Sequence, residues 1–320
     1  MHSAFGEQPI YVSGNFEGLS KAEVWVYLLA AGAVGTMSKS GARAYLAADR
    51  TDAKLLATKK PIFTLADLPA SLDGYLARLQ GAVEYRKKEW GRNKRQAAVT
   101  HLGAGAPLSE ARIAQIEASL GYALPDEVKC LMRQFNGLSC VVATLKSKKH
   151  VELPDQPLPY AALADCKHPI WQDAIDWLCG TIGIPTWEDI FLRPQKQRMC
   201  DQSDLHSPGE VIKIGALKVK AGELFPRLFA FDLYHSFGGA ALYLDPTDSQ
   251  AKVIYCFDAF ADLYSAQPIS LRAYMESLAA GIWTKMGNAG QRPIHPVSKT
   301  GWPTFIRNIQ NAPYVFVELK

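Results

Sequence analysis

The sequence predicts two adjoining bodies. The first is a small α/β unit with a parallel four-stranded sheet, and the second a larger α+β unit with a mainly antiparallel sheet. Three observations carry this. Short apolar runs alternate with helix-period segments over residues 9–78. A basic, then Gly-rich stretch follows. Two helical segments then precede a crowd of strand-like runs and a closing helix.

In the first unit, Ile10-Tyr11-Val12 reads as a strand closed by Ser13-Gly14. Ser20-Lys21-Ala22-Glu23 matches a capping box, after which Val24, Tyr27, Leu28 and Ala31 recur on one helical face and Gly32 stops the helix. Short strands are expected near Val34–Met37 and Ala44–Ala47. Thr51 is placed to cap a helix carrying Ala53, Leu55, Leu56 and Ala57, which Lys59-Lys60-Pro61 ends. Ile62-Phe63 is a fourth strand and Leu65–Leu76 opens another helix. The order β-α-β-β-α-β-α implies a parallel sheet covered by helices.

Residues 79–107 read as a basic linker, helical at first through Leu79, Val83 and Trp90, ending in the flexible Gly103-Ala104-Gly105-Ala106-Pro107. In the second unit, Ser109 caps a helix with Ile113, Ile116 and Leu120 on one face and Gly121 as its stop. Leu124-Pro125-Asp126 opens the next helix, which Asn136-Gly137 terminates. The stretch to residue 208 gives no clear periodicity. Strands are expected at Val211–Ile214, Leu228–Asp232, Ala240–Leu244 and Lys252–Phe257, with Gly238-Gly239 as a turn. Ser270 opens a late helix with Leu271, Tyr274, Met275 and Leu278 on one face, and Tyr314–Leu319 reads as a last strand. The division expected is therefore 1–78, linker 79–107, 108–284 and a C-terminal extension 285–320.

With 320 residues, 48% of them hydrophobic and 21% charged, the chain can bury two cores. The start lacks the basic and apolar run of a secretory leader, and no stretch approaches bilayer length. Six scattered cysteines without a Cys-x-x-Cys pair read as buried thiols in a reducing compartment, so a cytoplasmic location is expected. The net charge of +4 is uneven: residues 1–100 hold 14 Lys and Arg against 9 Asp and Glu. The surplus lies in Arg86, Lys87, Lys88, Arg92, Lys94 and Arg95, which Glu89 alone opposes within the run.

Four segments of the first unit, Tyr11–Glu23, Ala30-Ala31-Gly32-Ala33, Thr51–Leu55 and Pro61–Leu68, together resemble BRCT domains, above all the one closing bacterial NAD-dependent DNA ligases. Gly32-Ala33 stands where that family has Gly-Gly, and Leu68 or a neighbour where it often has Trp. In phosphate-binding members a Ser or Thr and a Gly after the first strand meet a Lys on the second helix. The matching positions are Ser13, Gly14 and Lys54, and Lys21 matches a basic residue of the DNA-end-binding members. A hydroxyl, a backbone amide and ammonium groups all donate to phosphate oxygens. Three such contacts give roughly 5–9 kcal/mol gross against an association cost of about 4–15 kcal/mol, so a neighbouring surface has to help. The plain alternative is a strand end beside solvated lysines, in a module that packs on protein.

The second unit resembles the SUKH superfamily (Smi/Knr-like) from Ser109 through Leu124-Pro125-Asp126 to Phe135-Asn136-Gly137. The sheet near Phe229–Asp232 and Val253–Asp258 and the helix from Ser270 resemble it more weakly. The stretch from Gly137 to Val211 is longer than in compact members, and the tail from Lys285 is extra. The resemblance implies a non-enzymatic binding protein of the bacterial immunity type, which neutralises a toxin, or a regulatory scaffold.

No phosphate-cradling loop, nucleophile elbow or zincin helix is present. Cys200 with Asp204 and His206, and Cys166 with His168, lack a second ligand pair at zinc spacing. Asp232, Asp245 and Asp258 each end an expected strand, where turn-forming carboxylates are common. The expectation is a binding or adaptor protein without enzymatic activity or cofactor. Its partner would be a protein such as a toxin, joined by a phosphopeptide or 5′-phosphorylated DNA at the first module, with no membrane. The alternative is a DNA-associated factor, in which the basic run would give a salt slope of about −5 and Trp90 would stack. An enzyme with a site in 141–210 or 285–320 is the third reading.

Overall fold

The computed structural model describes residues 5, 8–19, 21–35, 39–91, 98–145, 175–198, 200–235, 238–257, 262–263 and 268–283. The expected last strand Tyr314–Leu319, the pair Cys166/His168 and Asp258 lie outside them.

Strands β1 (Pro9–Ser13), β2 (Val34–Gly35), β3 (Ala44–Ala47) and β4 (Ile62–Phe63) form one parallel sheet in the order β2-β1-β3-β4. It is covered on both faces, as parallel strands require. Ile10, Val12, Ala44 and Leu46 share a core with helices α1 (Lys21–Ala30) and α3 (Tyr75–Gly91), while Tyr45 and Ala47 pack with Leu55 of α2 (Ala53–Leu56). The order β-α-β-β-α-β-α thus stands as expected. Helix α2 is capped by Asp52, whose carboxylate accepts from the Lys54 and Leu55 amides. The expected cap, Thr51, instead donates its hydroxyl to Asp49. A 3-10 turn (Leu65–Asp67), capped by Thr64, occupies the expected start of the next helix. Pro69 then delays α3 to Tyr75, since the residue before a proline avoids helical geometry.

Residues 79–107 require a correction. The expected linker is the body of α3, followed by strand β5 (Ala98–Ala104). β5 pairs with β6 (Leu138–Leu145), and β6 with β7 (Ile175–Ile184), in an antiparallel sheet. Helices α4 (Glu110–Leu120) and α5 (Asp126–Met132) lie between β5 and β6 in sequence; α4 is capped as read by Ser109 and ended by Gly121 in the left-handed region (φ +79°), while α5 follows Pro125 and ends at Met132, short of the expected Asn136-Gly137 stop. Helix α6 (Trp187–Phe191), hairpin β8 (Val211–Ile214) and β9 (Leu217–Lys220), and helix α7 (Ala221–Leu224) follow. A five-stranded sheet closes the body. It holds β10 (Leu228–His235), β11 (Gly238–Tyr243), β12 (Lys252–Phe257), β13 (Asp262–Leu263) and β14 (Ile269–Ser270), with β14 joined to β12. Gly238 and Gly239, expected as a turn, are paired residues of β11, facing Phe257 and Cys256. Helix α8 (Leu271–Trp283) is the late helix, and the Ser270 hydroxyl caps it by accepting from the Ala273 amide.

The two bodies share one continuous apolar core. α1 is buried from Val24 to Ala30, because α8 meets the sides that its own sheet leaves open. Polar contacts stitch the seam. The Tyr75 hydroxyl donates to the Met275 carbonyl (2.9 Å), and Gln134 bonds both Leu72 and Leu76. Arg272 donates to the Pro69 carbonyl (2.6 Å) and lies 4.3 Å over the Tyr27 ring. Arg78 pairs with Glu276 at 2.5 Å, where burial keeps the Glu276 carboxyl raised despite that guanidinium. Breaking a buried pair strands a charge, whereas replacing both partners by apolar groups does not. Arg78→Met is therefore expected to cost about 3 kcal/mol, and Arg78→Met with Glu276→Leu to recover most of it. Urea midpoints of the three chains check this.

Candidate binding surfaces

Ser13 ends β1 opposite Ala47 of β3, and the loop after β3 leads into α2, so Ser13, Gly14 and Lys54 belong to one rim of the parallel sheet. Gly14 (φ +88°) and Lys54 are exposed. Lys21 opens α1, but its side chain is not among those described. The rim is already supplied with anions. Asp52 takes the α2 amides, hydrogen bonds from Thr51 hold the Asp49 carboxyl below its ordinary range, and Arg50 does the same for Asp67. Asp52 already takes the Lys54 and Leu55 amides, two of the donors a phosphate would use at the start of α2.

The basic run is not a uniformly solvated face. Leu79, Ala82, Val83 and Arg86 recur at helical spacing and are buried against α8. Arg86 is 2% exposed and its Nε donates to the Ile282 carbonyl at 2.5 Å. Lys87, beside Glu84 at 3.8 Å, and Lys88 are exposed, and Arg92, Lys94 and Arg95 lie outside the described residues.

Several candidate chemical groups have structural work. Cys200 is fully buried in the core beneath the β8–β9 hairpin, its thiol pushed up to about 12 by burial. Asp204 lies beside Lys196, and the His206 ring stacks on Phe225 with Nδ1 3.0 Å from Glu210. Among the described residues no cluster suited to a metal ion forms. Asp245 is the turn-former expected, bonding the Thr247 amide and hydroxyl.

Asp232 is not a strand-end turn residue. It sits within β10, fully buried, at a break in the pairing with β11. One carboxylate oxygen accepts from the Gly183 amide of β7 and the other from the Tyr274 hydroxyl of α8, both at 2.7 Å. The side chain thereby ties three elements where two sheets meet. Burial raises its carboxyl to about 7, against the lowering effect of both donors.

The Phe135-Asn136-Gly137 signature is equally internal. Trp187 donates its ring N–H to the Phe135 carbonyl (2.6 Å) and its amide to Asn136 Oδ1 (2.8 Å), and its indole stacks with Phe135, Phe191 and Phe231. Gly105 and the Asn136–Gly137 backbone exchange hydrogen bonds in both directions. Glu117 accepts from the Leu124 amide at the mouth of α5.

The clearest outward feature is the β8–β9 hairpin. Ile214 and Val219 point into the core and Ile212 and Leu217 pack against it. Val211, Lys213, Lys218 and Lys220 are exposed on the other side, Val211 opposite Lys220 and Lys213 opposite Lys218. Nothing in the sequence separated this strand pair from ordinary solvated lysines; its register was needed.

A family model, the SMI1 / KNR4 family (SUKH-1), matches residues 107–277. No curated protein and no solved structure matches the chain. The match runs from α4 into the first half of α8 and begins after the parallel-sheet module, whose placement rests on its own geometry.

Proposed function

Because the chain belongs to the SMI1 / KNR4 family (SUKH-1), we propose that it is a non-enzymatic binding protein that neutralises a toxin by covering a working surface of it. The family is associated with immunity proteins of toxin systems. The observation that carries the reading is the family match over 107–277. Asp232, Glu276 and Cys200 serve the core, so the function is assigned to outward surfaces. Masking needs a rigid, shaped surface and no bond made or broken.

We assign the first module, BRCT-like in its resemblance, to protein packing in preference to phosphate. Its helix α1 already lies against α8, and Asp52 already occupies two amides at the start of α2. The DNA-associated reading loses Arg86 to the core. The division into 1–78 and 108–284 is retained as one of roles, a support and a grip, joined by α3 and β5.

Co-expression with a toxin encoded beside its gene tests the proposal. Restored growth that depends on the folded chain is expected. Failure to rescue from any neighbouring toxin, with the protein soluble and present, removes the immunity reading.

A further inference from the structure

We propose that the outward side of the β8–β9 hairpin is the grip, and that it takes an acidic surface of a partner protein with an apolar centre; this rests on the binding-protein reading above. Lys213 and Lys218 face each other across the register, one pair back from the two-residue turn Gly215-Ala216. Directly opposed like charges on one sheet face are unfavourable, and among the described residues neither lies within ion-pair distance of a carboxylate. Lys220 extends the row two pairs further along on the same side, opposite Val211. The nearest acidic side chain along the strand, Glu210, is turned to His206.

One lysine is enough to deter a stray strand from pairing at an edge. Three on one side of a hairpin this short exceed that need. Val211, 53% exposed and opposite Lys220, supplies apolar area among the cations. A carboxylate-bearing partner would relieve the repulsion between Lys213 and Lys218 and gain three charge-assisted contacts.

The hairpin is held ready. Its inner side chains sit in the core, the Ala221 amide bonds the Glu210 carbonyl (2.8 Å), and the Gly222 amide bonds the Pro208 carbonyl (3.0 Å). A surface fixed before contact loses little entropy on binding.

The test uses the full chain and a short fluorescent peptide of alternating Glu and Leu, with an alternating Lys and Leu peptide and a DNA duplex as comparisons. The acidic peptide is expected to bind by anisotropy, more weakly as salt rises. Lys213→Glu with Lys218→Glu is expected to weaken it at least about tenfold, with the thermal unfolding of the variant unchanged. Equal binding by the variant, no preference over the basic peptide, or tighter hairpin-dependent binding of the duplex would each overturn the proposal. In the co-expression assay the two ideas part. If the wild-type chain rescues and the reversed variant rescues equally, the hairpin is not the grip and the immunity reading stands. If the wild-type chain fails to rescue while the peptide binds through the hairpin, the immunity reading falls and the acidic partner remains.

Discussion

Asp232→Ala is expected to cost about 3–5 kcal/mol, because it leaves the Gly183 amide and the Tyr274 hydroxyl buried without their acceptor. Each orphaned donor costs roughly 1–3 kcal/mol, and the lost side-chain volume adds to that. Asp232→Asn separates the hydrogen bonds from the charge. The amide has the shape of the neutral acid, accepting from Gly183 and donating towards the Tyr274 oxygen. Folding raises the Asp232 carboxyl from its ordinary 3.8 to about 7. The folded chain therefore holds a proton that the unfolded chain has released. This contribution to stability is whole below about pH 4, declines between about pH 4 and 7, and is absent above. A rise from 3.8 to about 7 caps it at about 4 kcal/mol. Glu276, also raised by burial, bends the curve in the same direction. Urea midpoints across this range are expected to fall with pH in the wild-type chain and to fall less in Asp232→Asn. A variant as pH-dependent as the parent would show that Asp232 folds already ionised.

Gly105→Ala is expected to be comparably damaging, above about 3 kcal/mol. A Cβ at this position would stand 2.0 Å from the Asn136 carbonyl oxygen and 2.9 Å from its carbon. Both are backbone atoms, and they cannot swing aside as a side-chain tip can. Moving them would also disturb the Gly105–Asn136–Gly137 hydrogen bonds and the Trp187 contacts next to them. Two glycines serve as controls. Gly121, left-handed (φ +79°) with open space around it, should lose about 1–2 kcal/mol on becoming alanine, and Gly209, with nothing nearby, almost nothing. Equal losses at Gly105 and Gly209 would remove the close approach as a cause.

These two residues also mark where sequence reading reaches and where it stops. The parallel sheet was legible because Ile10-Tyr11-Val12, Ala44–Ala47 and Ile62-Phe63 are short apolar runs broken by turn residues. The Ser109 and Gly121 helix bounds were legible because capping is local. The docking of α1 on α8 was missed, although Trp25, Val26 and Leu29 put apolar groups on the face opposite Val24 and Leu28, and a helix apolar all round belongs inside. Arg86 reads as one more charge of its run, yet its helical register with Leu79 and Val83 is the signal that places it inward. Gly105 resembled a flexible stop because glycine reads alike whether it is mobile or pressed against another backbone. Asp232 was indistinguishable from Asp245 in sequence, since its two donors come from β7 and α8, far along the chain. The residues that reveal the family build its interior, so they identify the scaffold, while the hairpin cations that face outward carry no motif.

The account depends on the parallel-sheet module and the SUKH-1 body being one rigid unit, in which α8 is common property. Hydrogen exchange of the α1 and α8 amides across a denaturant series tests this most directly. The shared core predicts one opening free energy and one denaturant dependence for both helices. Exchange of α1 at lower denaturant, with its own slope and with α8 still protected, would contradict it.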